Sequence, residues 1–112
     1  MSIRVSLSRG VPVELVTDLA NGSSGAQGSE FCIPPIPIAV PTVVFSAQGT
    51  FTVLVGNIQA TQDDGTTWVN FLAFDFVSQP YLAAELQPGV GYRLNFTTVT
   101  STTAVDVKGS LR

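Results

Sequence analysis

Histidine is absent from the 112 residues of this chain, and cysteine occurs once. The first absence removes the commonest general base, and with it the Ser-His and Cys-His nucleophile pairs. It also removes the Cys/His ligand sets of structural zinc sites. The single thiol, Cys32, cannot close a disulfide within the chain. Its neighbours Ile33-Pro34-Pro35 carry no cation, so it reads as a lone buried thiol and not as a nucleophile. No apolar run reaches the ~18 residues of a membrane span, so no membrane contact is expected. The opening Met1-Ser2-Ile3-Arg4-Val5 alternates like a strand and lacks the apolar stretch of a signal peptide. The expectation is a chain made and used without secretion.

Charge is scarce as well. Charged residues make up 12% of the chain, against about 25% in an average soluble domain. The net charge is −3, and the five cations (Arg4, Arg9, Arg93, Lys108 and Arg112) are scattered. A nucleic-acid site needs a basic stripe, so nucleic acid is not expected as a partner. Against this, 45% of residues are hydrophobic and the mean hydropathy is +0.36. The length fits a single domain, which buries roughly two thirds of its unfolded surface. So small a domain needs more polar surface than average, yet this one has less charge. That deficit predicts a surface partly covered by partner subunits: a homo-oligomer, with a trimer favoured.

What is present is strand pattern. Ser2 to Ser8 places Ile3, Val5 and Leu7 on one face, and Val11, Val13 and Leu15 continue it past a turn or bulge at Arg9-Gly10. Residues 1–17 therefore read as an N-terminal strand or arm. Residues 18–30 read as a Gly/Ser-rich loop, and 31–112 as a β-sandwich body with a Pro-rich lead-in. The arm, freed by its loop, is expected to serve assembly more than the core. In Phe31 to Phe45, prolines at 34, 35, 37 and 41 exclude a helix and a central strand. An extended segment feeding a strand from Thr42 to Ala47 is expected. Gly49 to Phe96 reads as a β-meander, with a hairpin turn at Asp63-Asp64-Gly65. Gly56 marks a bulge or close approach. Trp68 to Val77 is apolar on both faces, as a central strand covered on both sides would be. Tyr92, Leu94 and Phe96 point inward, as do Val105, Val107 and Leu111. Tyr81 to Leu86 is the only candidate helix, and it reads equally as a strand or a 3₁₀ turn. The fold expected is all-β: an antiparallel β-sandwich or jelly roll of seven to eight short strands.

Few groups carry chemistry. Asp63 and Asp64 read first as turn residues, since Asp bonds its own backbone. Asp75 with Glu85 is the remaining carboxylate pair, in a chain short for a glycosidase cleft. Asp63, Asp64 and Thr66 offer oxygens to calcium, but without EF-hand spacing. Trp68 and Tyr92 read as core anchors in preference to sugar-stacking platforms. Arg93 is placed to pair with Asp75 or Glu85. No catalytic, cofactor-binding or metal-ligating residue is assigned, and no enzyme is expected.

The run Gly49-Thr50-Phe51-Thr52-Val53, the turn Asp63-Asp64-Gly65-Thr66-Thr67-Trp68 and the later Leu86-Gln87-Pro88-Gly89-Val90-Gly91-Tyr92-Arg93 together form a pattern. That pattern resembles small β-sandwich structural proteins of tailed bacteriophages, of the head decoration or cement type. The closing Val105 to Leu111 strand also fits. The resemblance covers about 60 residues of the C-terminal half and does not extend to the Pro-rich half. It implies a non-enzymatic virion protein, assembled in the host cytoplasm, that cements a capsid through contacts with the major capsid protein or another virion protein. The alternatives are a carbohydrate-binding β-sandwich of a tail fibre and a small tail or collar subunit.

Overall fold

The computed structural model describes residues 5–19, 25–35, 41–63, 65–100 and 103–112. Among them are nine strands and no helix: β1 Val5–Ser6, β2 Val13–Leu19, β3 Phe31–Cys32, β4 Thr42–Thr50, β5 Val53–Thr61, β6 Val69–Asp75, β7 Tyr81–Glu85, β8 Gly91–Thr100 and β9 Thr103–Leu111. They form a five-stranded sheet of order β1-β3-β8-β5-β6 and a four-stranded sheet of order β2-β9-β4-β7. The fold is thus an all-β sandwich. The two strands beyond the expected seven or eight are β1 and β3, each only two residues long. They pair with each other in parallel, and no periodicity is visible over so short a span.

The alternation that specifies each strand also sets its inner face. Tyr92, Leu94 and Phe96 of β8 are 2%, 0% and 0% exposed. Across β5 they meet the inward Leu54, Gly56 and Ile58 face, which is the buried one. Val105, Val107 and Leu111 of β9 face them from the other sheet with Val43 and Phe45 of β4. Aromatic rings fill the middle. Phe31 packs edge-on to Phe45 at 5.7 Å and stacks on Tyr92 at 5.8 Å. Phe74 meets Phe76 at 4.8 Å and Phe96 at 5.3 Å. Each such pair adds about 1 kcal/mol beyond its buried area.

Four expectations are corrected here. Residues 5–17 are not a detached arm. Leu7 is fully buried, Leu15 is 2% exposed and β2 pairs with β9. Two buried leucines contribute about 3–6 kcal/mol, so the segment completes this chain's own core. The loop assigned to residues 18–30 is also shorter than expected. Leu19 ends β2, and residues 25–28 run beside β8, with Gly25 N–H donating to Phe96 O at 2.7 Å and Gly28 N–H to Leu94 O at 2.8 Å. The small residues there serve proximity. A Cβ on Gly28 would lie 3.0 Å from both Leu15 O and Val16 Cγ2.

The meander is not formed. β5 and β6 make the expected hairpin, but β8 pairs on the far side of β5, and β7 lies in the other sheet against β4. Nor is β6 a central strand: it is the edge of the five-stranded sheet. Two apolar faces look the same in sequence whether a neighbour covers them or not.

Other expectations hold. Of the readings left open for Tyr81 to Leu86, the strand is the one formed, over Tyr81–Glu85. The β5–β8 register shifts between Val55 and Gly56, making Thr97 the extra residue of a bulge. Ile33 is buried at the start of the Pro-rich segment, and a strand follows from Thr42. Residues 36–40 of that segment lie outside the described residues.

Candidate functional site

β6 presents two different faces, and both bear on function. Its apolar residues are exposed in the first part of the strand, while Phe74 near its end is buried in the core. Val69 is 62% exposed and Phe71 52%. Val77 and Tyr81, on the connection to β7 and at its start, are also largely exposed. Soluble proteins blunt edge strands with lysine, proline or inward charge. β6 has none of these over Val69 to Phe74, and Asp75 is its only charged residue. One protective device is present, a register shift opposite Ile58 and Gln59 that leaves Phe71 extra.

Behind this edge lies an open cleft of about 550 Å³. Its apolar wall is Ala60, Val69, Phe71, Val90 and Tyr92, and its rim is Gln62, Asp63, Thr67 and Gln87. Phe71 sits 6.0 Å from the Tyr92 ring. The Tyr92 hydroxyl accepts the Gln87 backbone N–H at 2.9 Å. Burial pushes the phenol above its usual pKa, and this hydrogen bond opposes the rise.

The rim is held by its own turn. The Asp63 carboxylate accepts from Thr67 N–H at 2.8 Å and from the buried Thr61 hydroxyl at 2.8 Å. Thr61 Oγ1 in turn accepts Gly65 N–H at 3.1 Å, and Gly65 takes the left-handed φ of 87° that the turn requires. These bonds, the Thr67 N–H first, hold Asp63 below the usual carboxylate pKa. The carboxylate is committed to the turn. Asp64, the other acid expected here, lies outside the described residues. Thr66 contributes its backbone N–H to Asp63 O.

The outer face of the same sheet is polar. Asn70 on β6, Gln59 on β5 and Arg93 on β8 share one cross-strand row. Gln59 Nε2 donates to Asn70 Oδ1 at 3.0 Å. Arg93 Nε donates to Gln59 Oε1 at 2.8 Å, and its Nη1 to Gln27 Oε1 at 3.0 Å. Trp68 stands at the head of this face. Its Nε1–H donates to Gly65 O at 3.1 Å, and the Arg93 guanidinium lies 4.1 Å from its ring centroid. Desolvation lowers the Arg93 pKa, and the charge of Glu30 opposes that.

Trp68 is therefore no core anchor. It is half-buried, lies just before β6, and is not part of the core that holds Phe74 and Phe76. Tyr92 is the core residue of the pair. Arg93 meets Gln59, Gln27 and Trp68, and not Asp75 or Glu85. Asp75 caps the β6–β7 turn, accepting Val77 N–H at 3.0 Å and the Ser78 hydroxyl at 3.1 Å, while Glu85 is exposed on β7. Cys32 is half-buried, not buried. Among the described residues no three His, Cys, Asp or Glu side chains gather around a common point. The carboxamide row went unread in the sequence. Its signal was there: Asn57, Gln59, Asn70 and Asn95 occupy outward positions that charged residues usually take. No family model, curated protein or solved structure matches this chain.

Proposed function

We propose that this protein is a non-enzymatic structural subunit that joins an assembly through the edge of its sandwich at β6 and β7. The observation that carries this reading is the exposed apolar edge at the start of β6, where Val69 and Phe71 are each more than half exposed and no charged residue occurs before Asp75. An edge of unpaired backbone groups with apolar side chains beside it is costly unless a partner covers it. The low charge supports the same reading. The resemblance of about 60 residues of the C-terminal half to phage β-sandwich proteins makes a bacteriophage capsid the assembly proposed, with a second copy of this chain or the major capsid protein at the edge.

Light scattering of the purified chain at micromolar concentration tests this. The expected result is an oligomer that Phe71→Lys reduces to the 11.8 kDa monomer while the melting temperature is retained. A wild-type chain that stays monomeric, both alone and with assembled capsids, would overturn the proposal.

A further inference from the structure

The outer face of the five-stranded sheet has chemistry that a bare solvent face does not need. Exposed sheet faces are ordinarily built from threonine and opposed charges. Here Gln27, Gln59, Asn70 and Arg93 form one hydrogen-bonded row headed by Trp68, with the paired Asn57 and Asn95 in the adjacent register. From these residues we infer a binding site for a neutral oligosaccharide. The site is independent of the apolar edge, because it uses the opposite face of β6.

Arginine only donates, so Arg93 sets the direction of every carboxamide in the row. The Gln59 and Gln27 oxygens must face the guanidinium, and the Gln59 nitrogen then faces the Asn70 oxygen. The amide nitrogens of Asn70 and Gln27 are left to donate outward at the two ends. Both residues are exposed. The ends are three inter-strand spacings apart, about 14 Å, which suits a short chain of sugars and not a single ring. Each amide offers a planar donor group, the geometry that sugar hydroxyls accept.

The indole supplies the apolar part. Arg93 lies over the Trp68 ring, and a sugar's C–H face would stack on whatever part of this half-buried indole stays exposed. Charge decides the ligand class. Arg93 is the single cation of the row, and Glu30 acts on it with opposite charge. The site thus has no unbalanced charge to select an anionic glycan.

Trp68 is the only tryptophan of the chain, so its emission reports this site alone. The experiment titrates the full chain with maltohexaose, cellohexaose, chitohexaose and mannohexaose, following fluorescence and calorimetry. The expected result is a saturable change in emission with at least one of them. Asn70→Ala and Gln27→Ala should each weaken that binding about tenfold at unchanged melting temperature. Phe71→Lys, on the other face of β6, should leave it intact. Three results would each overturn the inference: no saturable change with any of the four sugars; binding unaltered by both carboxamide variants; or binding confined to a sialylated or sulfated oligosaccharide added as a control.

Discussion

Gly56→Ala should be the most damaging single-methyl change in this protein. Gly56 has an ordinary backbone conformation, so the constraint is space. A Cβ there would overlap Asn95 O and lie 2.9 Å from both Phe96 Cα and Phe74 Cζ. Two of those atoms belong to the backbone of β8, the central partner of β5. To restore ordinary contact the two strands must part by on the order of 1 Å, starting from the distances above. Overpacking alone costs about 1–3 kcal/mol. Stretching one or two ladder hydrogen bonds adds about 1 kcal/mol each. The sum, about 4 kcal/mol, is a large part of the 5–15 kcal/mol a domain has. It corresponds to a fall of about 15 °C in Tm at roughly 4 °C per kcal/mol. Thermal melts followed by circular dichroism measure it. Gly89→Ala is the control: its Cβ would meet nothing within 4 Å, but its φ of 84° is left-handed, which costs about 1–2 kcal/mol. If Gly56→Ala melts within about 3 °C of wild type, or above Gly89→Ala, the close approach of β5 and β8 is wrong.

Four further outcomes are expected. Trp68→Ala should cost only about 1–2 kcal/mol, the worth of its hydrogen bond and cation–π contact, whereas Phe45→Ala, at a fully buried ring, should cost about 3–5 kcal/mol; urea unfolding ranks the two. Removing residues 1–17 should abolish the cooperative melt, because Leu7, Leu15 and most of β2 leave with them. The Asp63 pKa is lowered in the folded state, so its contribution is present above the unfolded value near 3.8 and is lost as pH falls through the lower folded value; Asp63→Asn should keep most of the turn and flatten Tm against pH in that window. The Tyr92 pKa is raised, so stability should fall as pH climbs from about 10 toward the folded value, and in Tyr92→Phe this alkaline loss should shrink while a deficit of about 1–2 kcal/mol appears at neutral pH from the orphaned Gln87 N–H.

Period-2 alternation made the strands and their inward faces legible: Tyr92, Leu94, Phe96, Val105 and Val107 are where the pattern puts them. The Asp63–Gly65 hairpin and the Gly56 register shift were legible because each rests on local chemistry. Pairing partners were not. Nothing local distinguishes a β8 that pairs beside β6 from one that pairs beyond β5, since that choice is made by the whole sandwich. The same limit hid the exposure of Val69 and Phe71, because an uncovered apolar strand and a covered one share one pattern. Trp68 was misread for a related reason. Its indole satisfies its N–H locally at Gly65 and stacks on an arginine from a strand about 25 positions away, so its size argued for the core while its contacts keep it at the surface.

The place of β9 has a consequence for timing. It lies between β2 and β4, yet it is synthesised after the other eight described strands. Until it emerges, β2 has no neighbour in its sheet, and β4 has only β7. The nascent chain therefore waits with two apolar strands open, and the four-stranded sheet closes in one late step that joins distant parts of the sequence. Such long-range closure is slow and exposes the chain to mispairing meanwhile. Ribosome-stalled chains ending before Thr103 should accordingly be protease-sensitive throughout, and full protection should arrive only once β9 is free to insert.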